Sequence, residues 1–80
     1  MVRVLFFASL RETIGEREVD VEVPGDTRYD ELLDRLIARF PVIAPYRSTL
    51  RIAVNRSYVD RTAVIRPGDE VAVITPVSGG

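Results

Sequence analysis

Apolar and acidic residues alternate strictly along residues 17–23, with three valines on one side and three carboxylates on the other. A repeat of two residues is typical of a strand with one buried and one exposed face. Residues 2–8 are rich in β-branched and aromatic side chains and predict another strand. The segment between them, 9–16, predicts a loop with room for a helical turn, broken at Gly15. The two strands together predict a hairpin.

After a turn at Pro24-Gly25, the apolar residues recur at helical spacing. They are Tyr29, Leu32, Leu33, Leu36, Ile37 and Phe40. This stripe predicts one amphipathic helix. Thr27 is expected to cap it, with Asp30 completing a weak form of the capping box. Pro41 should end the helix, and Pro45 predicts irregular backbone up to residue 49.

Three further strands are predicted at 51–55, 57–59 and 71–75, the last of them after a tight turn at 66–70. One helix covers only one face of such a sheet, so its stripe must pack against the valines. The first and last strands are the most continuously apolar, which places them side by side. The expected fold class is α+β: a β-grasp, or ubiquitin-like, domain over residues 1–75. It has a mixed sheet of about five strands and one main helix packed on one face.

The period of two also predicts which side chains face away from the helix. Arg3 and Glu70 mark the outer side of the first and last strands. The apolar residues expected on that side are Leu5, Phe7, Tyr58, Ala72, Ile74 and Pro76. A contiguous exposed apolar surface is typical of a partner-docking site. The alternatives are that a loop or the tail covers these residues, or that a strand is shifted by one position.

Composition removes several classes of chemistry. The chain has 80 residues, 46% of them hydrophobic and 29% charged, and it contains neither cysteine nor histidine. Disulfides, thiolate nucleophiles and the usual zinc ligands are therefore excluded, and no metal site is expected. A net charge of −1 gives no sign of a nucleic-acid binder. The apolar start is too short to span a membrane and lacks the features of a secretion signal, so a cytoplasmic protein is expected.

All 11 basic residues are arginines. One explanation is a general preference, because arginine replaces lysine at most surface sites. The other is chemical: a protein that carries an activated carboxyl group benefits from having no side-chain amine to attack it.

The chain ends in Gly79-Gly80. Three residues before Gly79 lies Pro76, which cannot donate a backbone hydrogen bond to a sheet. Residues 76–80 therefore predict a flexible tail that leaves the last strand at Pro76. Glycines lack a Cβ, so such a tail can thread a narrow passage into another protein. The plain alternative is a frayed terminus.

Several segments together resemble the small subunit of molybdopterin synthase, the MoaD family. They are Val4-Leu5-Phe6-Phe7-Ala8 with Arg11-Glu12 and Gly15, Ala53-Val54-Asn55, Gly68-Asp69-Glu70-Val71-Ala72, and Pro76-Val77-Ser78-Gly79-Gly80. The resemblance spans nearly the whole chain and is most specific at its two ends. Thr75, where family members usually have a second proline, and the large Tyr58 depart from the family pattern.

The resemblance implies a thiocarboxylate on Gly80, with Gly79 supporting the threading of the tail. It implies that Phe7, Tyr58 and Ile74 dock a partner, and Pro76, on the same predicted face, is expected to join them. The implied partners are a MoaE-like large catalytic subunit and a MoeB-like adenylating enzyme, through which ATP and sulfur arrive. No cofactor bound to the chain itself is implied. The product would be the dithiolene of molybdopterin, made from cyclic pyranopterin monophosphate.

Three alternatives share the fold and the ending. The chain could carry sulfur for thiamin thiazole, cysteine or tRNA thiolation. It could be a ubiquitin-like modifier joined to lysines through Gly80. It could also be an interaction module with a passive tail. In each of the first two, the chain supplies a reactive terminus and no catalytic side chains.

Overall fold

The computed structural model describes residues 1–75, in which seven strands and three helices follow one another. The strands are β1 (Val2–Phe6), β2 (Glu18–Val21), β3 (Thr27–Arg28), β4 (Arg51–Val54), β5 (Ser57–Tyr58), β6 (Val64–Ile65) and β7 (Glu70–Ile74). The helices are α1 (Ala8–Ile14), α2 (Tyr29–Arg39) and a 3-10 helix (Pro41–Thr49).

Five of the strands form one mixed sheet in the order β2-β1-β7-β4-β5. β1 and β2 form the expected antiparallel hairpin, and β7 lies parallel to β1 at the centre of the sheet. β4 pairs antiparallel with β7 on its other side and with β5 at the edge. The expected β-grasp class and the neighbouring first and last strands are confirmed.

The core lies between one face of this sheet and α2. The alternation along β1 buries Val2, Val4 and Phe6, while Tyr29, Leu32, Leu33 and Leu36 are the buried residues of α2. Phe6 packs edge-on against Phe40, with 5.7 Å between the ring centroids. The apolar stripe of the helix therefore meets the inward side chains of the central strands, as predicted.

The segment after β1 is a helix rather than a loop with one helical turn. Leu10 is only 2% exposed, and Ile14, four residues later on the same face, packs against the core. This apolar pair is what holds α1 on the domain. Gly15 ends the helix in the left-handed region, with φ at 84° and its N–H donating to the carbonyl of Arg11 at 2.9 Å. The break predicted at Gly15 is confirmed.

Thr27 does not cap α2, so that prediction was wrong. It is 1% exposed and pairs with Ile65 in a two-stranded sheet of β3 and β6, which the sequence did not indicate. Its hydroxyl donates to the carbonyl of Gly25 at 2.9 Å, and no side chain caps the helix. Because its hydroxyl bonds within its own turn, Thr27 can be buried in β3 without leaving a polar group unpaired.

The stretch predicted as irregular is a 3-10 helix that contains Pro45. Arg47 ties this helix to α2: its guanidinium lies 2.6 Å from a carboxylate oxygen of Asp34 and 3.8 Å from the carboxylate of Asp30. Ile43 is fully buried, so the 3-10 helix also closes one end of the core.

Candidate functional site

The face of the main sheet that turns away from α2 is here called the open face, and no helix among residues 1–75 packs across it. Along β1, Arg3 is exposed and Leu5 is half-buried, while Val4 and Phe6 are buried on the helix side. Along β7, Ala72 and Ile74 are likewise half-buried and alternate with the fully buried Val71 and Val73. The predicted assignment of these strands to inner and outer sides is confirmed.

Strand register lines up a row of apolar side chains across four strands of the open face. Leu5 of β1 is opposite Ala72 of β7, Ala72 is opposite Ala53 of β4, and Ala53 is opposite Tyr58 of β5. Side chains opposite one another on paired strands stand close enough to touch. The row is therefore continuous, with small residues in the middle and larger ones at its two ends.

Phe7 and Ile74 extend this row at the end where β7 finishes. Together these six residues form what we call the apolar patch: Leu5, Phe7, Ala53, Tyr58, Ala72 and Ile74. They line one open depression of about 430 Å³, which Arg56 and Glu70 complete. Tyr58 is 70% exposed and Phe7 46%, so large apolar side chains stand in water beside the depression. A contiguous exposed apolar surface of this kind is typical of a protein-binding site.

The structure thus brings together the predicted docking residues Phe7, Tyr58 and Ile74. Pro76, Gly79 and Gly80 lie outside the described residues, and so does the proposed tail. The last described residue, Thr75, has its hydroxyl 3.3 Å from that of Ser9 at the start of α1. The chain therefore leaves β7 directly beside Phe7 and Ile74, at one end of the apolar patch.

Two features of the site were missed at the sequence level. Ala53 lies at the floor of the depression, and Arg56 lines it. The sequence feature that could have identified both residues is the two-residue connection Asn55-Arg56. Its positive φ angles of 49° and 72° make a tight hairpin. That loop length fixes the register and so places Ala53 opposite Tyr58.

The carboxyl group of Asp60 has a lowered pKa, and it lies outside the apolar patch. Asp60, between β5 and β6, accepts hydrogen bonds from the side-chain hydroxyl of Thr62 and from its backbone N–H, the latter at 2.8 Å. Both bonds stabilise the charged form, the hydroxyl contributing more, and they lower the pKa of Asp60.

Residues 1–75 hold no group of three acidic, histidine or cysteine side chains placed to bind a metal ion. Within the same range, no helix is both long and apolar enough to cross a bilayer. What the open face offers chemically is an apolar surface with charged neighbours, which suits it to protein binding.

Comparison with known proteins agrees with this geometry. Residues 4–80 match the ThiS family. The molybdopterin synthase sulfur carrier subunit of Drosophila sechellia is 43% identical over 82 residues, an alignment that covers 99% of this chain and 90% of the relative.

Solved structures share the fold over its full extent. The crystal structure of small archaeal modifier protein 1 from Haloferax volcanii superposes with a TM-score of 0.86 at 29% identity, covering 99% of this chain and 98% of the other. A chain in the complex of subunits 1 and 2 of molybdopterin-converting factor from Helicobacter pylori gives a TM-score of 0.69 at 22% identity, covering 99% and 97%. The chain therefore belongs to the ThiS family and is a homologue of the molybdopterin synthase sulfur carrier subunits.

Proposed function

We propose that this chain is the sulfur-donating subunit of a molybdopterin synthase and that the carboxyl group of Gly80 carries the sulfur. The apolar patch beside the end of β7 is the observation that carries the proposal, because it offers a docking surface where residues 76–80 begin. The family match, which extends to residue 80, supports the same assignment.

The chemistry requires a partner that activates the carboxylate. The Gly80 carboxylate attacks the α-phosphorus of ATP, and pyrophosphate leaves, which gives an acyl-adenylate. Hydrosulfide then attacks the acyl carbon, the carbon–oxygen bond to AMP breaks, and AMP departs with the electron pair. The sequence contains no phosphate-binding glycine loop, so ATP and sulfur arrive through a MoeB-like adenylating enzyme.

A second partner, the MoaE-like large catalytic subunit, covers the apolar patch and receives the tail. Gly79 and Gly80 have no Cβ and so pass a narrow entrance. Inside, the thiocarboxylate sulfur attacks a carbon of cyclic pyranopterin monophosphate and displaces an oxygen leaving group. Water then cleaves the acyl–sulfur bond, which leaves the sulfur on the pterin and returns Gly80 to a carboxylate. A second loaded chain supplies the second sulfur of the molybdopterin dithiolene in the same way. The Helicobacter pylori complex of two subunits supports this arrangement, because one of its chains shares this fold.

The test is a two-stage reconstitution. Incubation with the adenylating enzyme, ATP and a sulfur source should replace one carboxyl oxygen by sulfur, read as the intact mass. The loaded chain, mixed with large subunit and pterin precursor, should then give molybdopterin. A variant lacking Gly80 should fold normally yet fail at the first stage, because the reacting carboxyl group has moved back by one residue.

The outcomes separate the hypotheses. An unchanged mass beside an active adenylating enzyme would rule out every sulfur-carrier assignment. Loading without molybdopterin formation would instead point to a different thiolation pathway, in thiamin thiazole, cysteine or tRNA synthesis.

The resemblance to small archaeal modifier protein 1 favours one further candidate, a ubiquitin-like modifier attached to lysines through Gly80. The chain has no lysine of its own, so it would modify other proteins without building lysine-linked chains. The same reconstitution with a lysine-rich acceptor protein tests it: a covalent adduct with the acceptor supports modification, and free thiocarboxylate alone contradicts it.

A further inference from the structure

The charged residues around the apolar patch are mostly positive. Four exposed arginines border it: Arg56 lines its depression, Arg51 is opposite Ile74 in the β4–β7 pair, and Arg11 and Arg17 line a second depression that also contains Leu5 and Phe7. We call these four residues the rim arginines. Two glutamates share the border, Glu70 in the first depression and Glu18 in the second.

None of the rim arginines makes an ion pair within residues 1–75, whereas Glu18 is already engaged, 3.5 Å from Arg3. Arg51 reaches only the carbonyl of its neighbour Leu50, at 3.5 Å.

Arginines on the helix side are used differently. Arg39 donates to the backbone carbonyl of Asp20 at 2.8 Å, and Arg35 to that of Glu22 at 3.4 Å. Arg47 bridges two aspartates of α2. Within residues 1–75, these three arginines bond through their side chains to other parts of the domain, whereas no rim arginine side chain bonds beyond its sequence neighbour.

The distribution of charge across the chain strengthens this contrast. Outside the patch border, the sequence has seven arginines and ten carboxylates. A chain with a net charge of −1 thus places around the apolar patch four arginines that make no ion pair within residues 1–75. Like charges held around an apolar surface repel one another, and an oppositely charged partner relieves that repulsion.

From this we infer that the partner surface that covers the apolar patch has an apolar centre ringed by carboxylates, which pair with Arg11, Arg17, Arg51 and Arg56. The inference rests on the proposed function for the identity of the partner, the large subunit. Charge at a rim acts mainly on the rate of encounter and on orientation, while the apolar centre holds the complex. A nucleic acid duplex would present negative charge without the matching apolar centre.

The experiment measures association of the large subunit with this chain by stopped flow, from low to high ionic strength. For the wild type, the association rate constant should fall steeply with salt, because screening shortens the reach of the rim charges. The double variant Arg17→Glu/Arg56→Glu should associate at least about tenfold more slowly at low salt and lose the salt dependence.

A matched control is the double variant Arg28→Glu/Arg66→Glu. These arginines are exposed, line neither depression, and change the net charge by the same amount. At an ionic strength of about 0.1 M, where the screening length is about 10 Å, the control should keep an association rate constant within about threefold of the wild type, since charge distant from the interface is then largely screened. Thermal unfolding of both variants checks that each is folded.

Three results would overturn the inference while leaving the proposed function intact. They are association independent of salt, faster association of the Arg17/Arg56 variant, and equal slowing in both double variants. Self-association of this chain through the patch, or binding of single-stranded DNA or phosphatidylserine vesicles in place of the large subunit, would also contradict it. Absence of any complex between the wild type and the large subunit would remove the proposed function itself.

Discussion

Asn55 shows how much a single side chain decides at the edge of the site. Its amide nitrogen donates to the carboxylate of Asp69 at 3.1 Å, and its amide oxygen accepts from the N–H of Glu70 at 3.1 Å. Its own N–H donates to the carbonyl of Glu70 at 2.8 Å. With φ at 49°, it also occupies a region that asparagine tolerates better than most residues. Asn55 therefore fixes the β4–β5 turn onto the start of β7 and holds Arg56 and Tyr58 in place.

Asn55→Ala should lower the free energy of unfolding by about 1–2 kcal/mol, because it removes two side-chain hydrogen bonds and the tolerance for positive φ. Asn55→Gly keeps that tolerance and should cost less than Asn55→Ala. Urea denaturation of both variants measures the difference. Equal losses in the two would show that the hydrogen bonds alone matter.

Asp60 predicts a small acid sensitivity. Its pKa is lower in the folded chain, so the carboxylate contributes stability above the unfolded-state pKa. That contribution is lost as the pH falls below about 4, through the lower folded value. An NMR titration should show Asp60 titrating below its usual range in the wild type and closer to it in Thr62→Val. An unchanged Asp60 titration in that variant would contradict the assigned cause.

At the scale of elements, the helices differ in whether their own sequence pattern is enough to identify them. α2 carries a full apolar stripe and four buried residues, so its pattern alone identifies it. α1 has seven residues and a single buried side chain, Leu10, and it needs the rest of the core, including the 3-10 helix that it contacts, to form. Its end at Gly15 is what directs the chain back into β2.

Gly15 and Gly25 provide a matched pair for that claim. A Cβ added at either glycine meets no atom within 4 Å, but only Gly15 has a positive φ, at 84°. Gly15→Ala should therefore destabilise the chain by about 1 kcal/mol through backbone strain alone. Gly25→Ala should be neutral or slightly stabilising. The two melting temperatures report this, and equal effects would show that strain at Gly15 is negligible.

At the scale of the whole molecule, the two faces of the sheet differ in burial: one packs on α2, and the other leaves the apolar patch exposed in residues 1–75. Phe6 and Phe7 are neighbours in sequence, yet Phe6 is 2% exposed against α2 and Phe7 is 46% exposed beside the patch. Charge follows a similar division, since arginines on the helix side bind within the domain and the rim arginines do not. Substitutions of side chains on the open face should therefore disturb the core little.

Phe7→Asp should change the free energy of unfolding by less than about 0.5 kcal/mol, while weakening binding to the large subunit at least tenfold. Phe6→Ala should cost about 3–5 kcal/mol, since it leaves a cavity in the core. Calorimetric unfolding and titration with the large subunit give both quantities. A Phe7→Asp variant that is unfolded, or that binds normally, would show that the open face has been assigned the wrong role.

The alternating strands and the apolar stripe of α2 could be predicted from the sequence alone, and so could the outward direction of Leu5, Phe7 and Ile74. The reason is that side-chain period is a local property of the backbone. The sequence also supplied the Gly79-Gly80 ending on which the proposed chemistry rests. Only the tertiary structure decided that Thr27 is a buried strand residue, that α1 forms over Leu10, and that Ala53 and Arg56 join the site. Those outcomes depend on contacts between residues distant in sequence, whose energies no local pattern records.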